Sequence, residues 1–272
     1  MKCVLSIAGS DSGGGAGIQA DIKTITSLGA HALTVITALT AQNSLGVSAI
    51  HPVPPGFIAR QIKAIVEDRP PDAVKVGMVF TAAAVKAVSR MIAGYRLSPV
   101  VVDPVLRAST GRLLLEPDAV RVLRERLLPL ATVVTPNLHE AELLTGKRVR
   151  TLKEMERAAR EIFLMGPRVV IKGGHLKRES SDLLFDGKEV TVFPGKKIAS
   201  TSTHGTGCVF SSALATFLAM GENLREATQS AHDVVRRAIQ GGYSFGRGRG
   251  AVAPYPTRRI EGLKQEIRMR IK

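Results

Sequence analysis

Cysteine is scarce here: the 272 residues hold two, Cys3 and Cys208. Two thiols so far apart make neither a disulfide scaffold nor a metal site, and a reducing cytosol is the expected compartment. No apolar run approaches the length that crosses a bilayer. The start, Met1-Lys2-Cys3-Val4-Leu5-Ser6-Ile7, turns glycine-rich too soon for a secretory signal. Repeats, low-complexity tracts and clear linkers are missing too, so a single domain over 1–272 is expected. His139, His175 and His204 lack metal-ligand spacing. There is no Ser-His-Asp order, no G-x-S-x-G elbow and no G-x-x-x-x-G-K-S/T loop. The glycines at 13–17 do not fit the dinucleotide spacing G-x-G-x-x-G either.

Acidic residues are in deficit, with 23 Asp and Glu against 38 Lys and Arg and a formal charge of +15. From Arg236 onward ten Lys and Arg face only Glu261 and Glu266, a net of +8. The basic tail, about 246–272, has no aromatic-rich strand or nucleic-acid motif beside it. A nucleic-acid partner is therefore not expected. A solvated face, or attraction for anionic substrates such as nucleotides, accounts for the charge.

What the chain does have is alternation. Short apolar runs at 4–8, 32–39, 47–53, 73–78 (a strand-to-loop edge), 99–102, 131–135 and 168–171 read as strands. Between several of them lie helical patterns, such as Ile18, Ile22, Ile25 and Leu28, or Ile58, Ile62 and Ile65 after Pro55. Thr81 caps a further helix, and Asp186-Gly187 joins 182–185 to 189–193 as a hairpin. The pattern predicts a three-layer αβα sandwich with a mostly parallel central sheet. In such sheets ligands bind beyond the carboxyl ends of the strands. Gly9, Gln42, Met78, Asp103, Asn137 and Lys172 all fall at or just past those predicted ends.

One stretch organises these candidates: Thr203-His204-Gly205-Thr206-Gly207-Cys208, ahead of an apolar helix face. Free N–H groups at a helix start, with glycines allowing close approach, make a hole for a phosphoryl group. The same field favours a Cys208 thiolate. A plain helix start with a small buried cysteine is the competing reading. Asp103 leaves its strand either as a cap for the turn or, as the strand-end rule favours, as an acid facing the crevice, where with Glu140 it could hold Mg²⁺ through water. Glu140 could equally complement a helix dipole, Asn137 could be only an N-cap, and Lys172 only a solvated amine. Asp21, on the first helix, reads by itself as a solvated carboxylate. Together these groups suit phosphoryl transfer.

The chain resembles the hydroxymethylpyrimidine/phosphomethylpyrimidine kinases of thiamine biosynthesis, within the ribokinase-like superfamily. The resemblance runs from about Leu5 to about Ala219. It is carried by Ile7-Ala8-Gly9-Ser10-Asp11, by Gly14-Gly15-Ala16-Gly17-Ile18-Gln19-Ala20-Asp21, and by residues 35–43 ending in Gln42-Asn43. Lys75-Val76-Gly77-Met78, Val102-Asp103-Pro104-Val105, Thr135-Pro136-Asn137, Glu140, Lys172-Gly173-Gly174-His175 and the 203–208 turn complete it. It implies an ATP- and Mg²⁺-dependent kinase of the cytoplasm, commonly a homodimer. The substrate would be 4-amino-5-hydroxymethyl-2-methylpyrimidine, phosphorylated to its monophosphate and then its diphosphate. Pyridoxal-type kinase activity, alone or in addition, stays open, as does a pyrimidine-binding regulator without catalysis.

By the same resemblance Gln42 would meet the aminopyrimidine edge, with Gly9, Asp21, Met78 and Val105 shaping that pocket. Asp103 and Glu140 would organise the metal, while Asn137, Lys172 and Thr206 would meet ATP. Gly205, Thr206, Gly207 and Cys208 would hold the phosphoryl group, with Cys208 as base or as positioning group. Asp11-Ser12-Gly13-Gly14-Gly15-Ala16-Gly17 departs from the usual Asp-Pro-Ser-Gly-Gly-Ala-Gly, which predicts a more mobile loop. Leu106 stands where a methionine is frequent, and no additional thiamine-synthesis domain is expected.

Overall fold

The computed structural model describes residues 1–108, 111–176 and 179–254. The part of the basic tail at 255–272, including a short helix expected after Pro256, lies outside the described residues. The strands in chain order begin with β1 (Cys3–Asp11), β2 (His31–Asn43), β3 (Gly46–Pro52), β4 (Ala73–Val76) and β5 (Val100–Val102). There follow β6 (Val133–Val134), β7 (Arg168–Ile171), β8 (Asp182–Phe185) and β9 (Val190–Phe193). They form one sheet in the order β3-β2-β1-β4-β5-β6-β7-β8-β9. Pairing is parallel from β2 across to β7, with antiparallel β3 at one edge and β8 and β9 at the other.

The helices are α1 (Gly17–Ser27), α2 (Pro55–Asp68), α3 (Ala82–Gly94) and α4 (Pro117–Val122). Beyond them come α5 (Leu138–Thr145), α6 (Leu152–Phe163), α7 (Thr206–Met220) and α8 (Leu224–Gln240). Strand periodicity of two explains how they share the sheet. Leu5, Ile7, Val74, Val76, Val100, Val102 and Val134 point into the core under α2 to α6. Val4, Ala73, Val101, Val133 and Val170 point into the core under α1, α7 and α8. The expected three layers are thus present. None of the described helices is long and apolar enough to cross a membrane.

Three local differences from expectation shape the site. Strands β1 and β2 run on to Asp11 and Asn43, so Gly9 and Gln42 lie within strands and not past their ends. The β1–β2 register shifts between Ala8 and Ser10, where Thr37 and Ala38 of β2 stand opposite Gly9, a bulge in β2 beyond which the pair continues upward as a rim. Gln19 Oε1 accepts the Asp11 N–H at 2.9 Å and holds that extension. The Asp186-Gly187 hairpin is a four-residue loop, because the Asp186 carboxylate takes the N–H groups of Lys188 and Glu189, each at 2.8 Å. A short parallel pair, β10 (Ser202–His204) with β11 (Gly250–Ala251), brings the chain's later part against the start of α7.

Gly173, in the turn after β7, lies so close to β8 that a Cβ there would overlap the Ser181 carbonyl oxygen. Its N–H donates to Asp182 Oδ1 at 2.8 Å. Gly173→Ala is expected to cost about 1–3 kcal/mol in urea unfolding, the usual range for overpacking. An unchanged midpoint would show that the turn gives way freely.

Candidate active site

Helix α7 is preceded by Gly205 at its N-cap, whose φ of +90° suits glycine. A Cβ at Gly205 would overlap the Gly15 carbonyl oxygen, so the two glycine-rich stretches dock backbone to backbone. A Cβ at Gly207 would lie 3.2 Å from Lys172 Nζ and 3.4 Å from Asp103 Oδ2. The first N–H groups of α7 therefore open onto a charged cleft with no side chain in the way.

That cleft is a cavity of about 550 Å³. Gly9, Gln42, Met78 and Val105 line it, together with Gly205, Thr206, Gly207 and Cys208. Asp103, Asn137, Glu140 and Lys172 line it as well. Met78 belongs to a small apolar cluster with Ala38, Val47 and Leu114, against which Val105 packs. A Cβ at Gly9 would come within 2.9 Å of Met78 Sδ, so glycine keeps that wall flat. The Gln42 amide nitrogen lies 3.2 Å from His204 Nε2 at the polar edge. A second cavity, about 610 Å³, adjoins the first and shares Asn137, Lys172, Thr206 and Gly207 with it.

Asp21 is the exception and a correction. It does not line the cavity: it is fully buried beneath it. Its carboxylate pairs with Lys75 Nζ at 2.9 and 2.8 Å and accepts from Ser6 Oγ at 2.6 Å and Ser212 Oγ at 2.7 Å. Burial alone would lower the Lys75 pKa; the charges of Asp21, Cys208 and Asp103 and the Asp21 hydrogen bond together outweigh it and leave the pKa raised. The helix position that suggested solvent faces the sheet, where Ser6 and Lys75 are register partners on the α1/α7 side.

The thiolate expected at Cys208 is also overturned. Burial pushes its pKa up to about 11; Asp21 and Asp103 push the same way, against Lys75 and the Gly17 N–H. Glu140 is raised to about 7 by burial and by the neighbouring Asp103, against the pull of Lys172. Asn137 is an N-cap after all: it forms a capping box with Glu140, with bonds of 2.8 and 2.9 Å. Lys172, far from solvated, pairs with Asp103 Oδ1 at 2.8 Å.

Among the described residues no group of three or more His, Cys, Asp or Glu could cage a metal. Asp103 and Glu140 offer hard oxygens in one cavity. That donor set fits Mg²⁺, which binds through one or two carboxylates, substrate phosphates and water.

Several functional groups were not singled out from the sequence. Asp11 accepts the N–H groups of Gly13, Gly15 and Ala16 at 2.8, 3.1 and 2.8 Å, and its Oδ2 lies 3.0 Å from His204 Nε2. Burial would raise its pKa, but His204 and the Gly13 and Ala16 N–H groups hold it below the usual value. Ser12 Oγ bridges the backbone of Gln42 at 2.7 and 2.9 Å. The loop expected to be mobile is thus tied at both ends, by the serine that replaces proline and by Asp11. Asp182 holds both Gly173 N–H and His232 Nδ1, each at 2.8 Å, which fixes the turn that carries Lys172. A buried aspartate at a strand start was the available signal.

Lys75→Met leaves Asp21 charged and buried, and is expected to cost about 3–5 kcal/mol in chemical unfolding. A loss under about 1 kcal/mol would contradict the pair's role. Alkylation of Cys208, followed by mass spectrometry, is expected to accelerate about tenfold per pH unit through pH 10. A plateau below pH 8 would mean a standing thiolate.

Comparison with known proteins adds the lineage. The family described as phosphomethylpyrimidine kinase matches residues 11–253, so the match extends beyond Ala219 through β11. The thiamine biosynthesis bifunctional protein ThiED of Geobacter sulfurreducens is 51% identical over 251 residues, which cover 92% of this chain and 51% of that protein. The chain thus spans about half the length of that relative. The hydroxymethylpyrimidine/phosphomethylpyrimidine kinase of Bacillus subtilis is 43% identical over 258 residues, 94% of this chain and 95% of that one. Among solved structures, pyridoxal kinase of Staphylococcus aureus in complex with AMP-PCP and pyridoxal superposes with a TM-score of 0.87 at 34% identity, covering 96% of each chain.

Proposed function

The chain belongs to the phosphomethylpyrimidine kinase family, and we infer from this that it is the ATP-dependent phosphotransferase of the hydroxymethylpyrimidine branch of thiamine biosynthesis. Two successive transfers convert hydroxymethylpyrimidine to its monophosphate and the monophosphate to the diphosphate. One observation carries the reading on this chain: the flat apolar wall at Met78 and Val105, the Gln42 amide and the start of α7 share one cavity. ATP occupies the adjoining cavity; use of a nucleotide is supported by AMP-PCP in the staphylococcal relative. The enzyme acts as one domain, pairs as a homodimer and works in the cytoplasm, following the family.

Each group then has a task. The ring lies against Met78 and Val105, and the Gln42 amide meets its amino edge. Asn137, Lys172 and Thr206 approach the ATP phosphates. Asp103 and Glu140 hold Mg²⁺, which when bound neutralises phosphate charge. The N–H groups of residues 206–208 face the phosphoryl in transit, where charge spreads over its equatorial oxygens. Gly205 and Gly207 keep that approach open. A thiol with a pKa near 11 is protonated at neutral pH. Cys208 therefore orients the acceptor oxygen and does not take its proton. Asp21 supports Lys75 and the α7 helix from below the substrate pocket.

A product assay with ATP and Mg²⁺ tests the assignment by offering hydroxymethylpyrimidine, its monophosphate and pyridoxal in parallel. Diphosphate made from the pyrimidine is the expected outcome, and pyridoxal phosphate alone would overturn the substrate. Cys208→Ser is expected to lower kcat less than about tenfold; a loss of about 10²–10⁴ would restore the general-base role. Gln42→Leu is expected to raise KM for the pyrimidine far more than KM for ATP. An equal rise in both would refute a selective amide contact.

A further inference from the structure

Five Lys and Arg side chains line the acceptor cavity: Lys75, Arg107, Arg150, Lys172 and Arg249. Three are matched by carboxylates. Lys75 is held by Asp21, Lys172 by Asp103 at 2.8 Å and Arg150 by Glu142 at 3.3 Å. Arg107 Nη1 donates to the Gly111 carbonyl at 3.2 Å. Arg249 has no carboxylate partner among the described residues. It also lines the second cavity, so Arg249 stands where acceptor and nucleotide spaces meet.

Its backbone is fixed from both sides. Arg249 N–H donates to the Ser44 carbonyl and Gly248 N–H to Ser44 Oγ, each at 3.1 Å. A Cβ at Gly248 would overlap the Ser44 carbonyl oxygen, and one at Gly246 would overlap Ser44 Oγ, so glycine permits this docking. Immediately after it, β11 pairs with β10 beside the 203–208 turn. The segment therefore straps the β2–β3 turn, two residues from Gln42, to the start of α7.

The two transfers differ in charge at this junction. In the first, a neutral hydroxymethyl group approaches the γ-phosphate. In the second, the attacking oxygen belongs to a phosphate carrying about −1.5 to −2 charges. That phosphate has to lie at the junction, against a second anion. Lys172 is already shared with Asp103, and His175, the other basic group common to both cavities, is held neutral at pH 7 by burial and by nearby cations including Lys172 and Arg249. A guanidinium fork suits a phosphate and carries charge at every relevant pH.

We propose that Arg249 binds the phosphate of the phosphorylated acceptor and so favours the second transfer over the first. This rests on the kinase reading above. The test measures kcat/KM separately for hydroxymethylpyrimidine and for its monophosphate, at saturating ATP, in wild type, Arg249→Gln and Arg249→Lys. Arg249→Gln is expected to lose at least about tenfold more with the monophosphate than with the unphosphorylated pyrimidine, mainly in KM. Arg249→Lys should recover part of that difference, because it keeps the charge without the fork. Equal losses with both acceptors would place the guanidinium on the ATP γ-phosphate and overturn the proposal, as would no loss at all. Equilibrium binding of the monophosphate without ATP supplies a second readout: binding as tight in Arg249→Gln as in wild type contradicts the contact. Wild-type protein inactive on both pyrimidines would instead refute the kinase reading, and this inference with it.

Discussion

The ion pair between Lys75 and Asp21 is the constraint on which the site rests. Both side chains are fully buried, and an isolated charge at that depth would be costly. Four groups share the load: the lysine, the aspartate, Ser6 on β1 and Ser212 on α7. They come from a central strand pair and from the two helices that meet above it. Ser212 lies one turn beyond Cys208, so the pair fixes the height and rotation of α7's first turn. The same charges reach Cys208, where burial and two carboxylates outweigh the lysine and keep the thiol protonated.

Above this foundation, glycine decides what can approach. Gly205 rests on Gly15, and Gly207 leaves room for Lys172 and Asp103. Asp11 gathers the loop before α1 while reaching His204 in the stretch before α7. Two glycine-rich segments far apart in sequence thus become one rigid mouth. The chain's strong positive charge is spent unevenly there: most cavity cations already have carboxylate partners, which leaves local charge to be set by the ligands. A site that receives several phosphates benefits from that arrangement, because few bare charges need desolvation beforehand.

Much of this was legible in the sequence, for a physical reason. Buried parallel strands need short apolar runs, and Val100–Val102 and Arg168–Ile171 announce themselves that way. The crevice follows from strand polarity, which gathers Asp103, Asn137 and Lys172 without any contact being known. Asp21 was not legible, because its partner Lys75 is 54 residues away and a helix carboxylate looks solvated until the facing strand is known. The Cys208 ionisation failed for a related reason: the helix start is local, whereas burial and the Asp21 and Asp103 charges come from distant elements. Arg249 stayed hidden in a basic tail, since only the docking of residues 246–249 onto Ser44 carries it to the cavity. Ser12 shows the opposite error, where losing a proline suggested looseness and a hydroxyl supplied two bonds instead.

The central claim is that the first turn of α7, held from below by Asp21 and Lys75, is the cradle for the phosphoryl group. Backbone amide NMR tests it most directly, with hydroxymethylpyrimidine and Mg²⁺-ADP present and aluminium fluoride added as a mimic of the group in transit. The expected result is that the amides of Thr206, Gly207 and Cys208 show the largest shifts on addition of the fluoride and become slow to exchange with solvent. Shifts confined to the nucleotide rim near His232 and Arg249, with residues 206–208 unmoved, would contradict it.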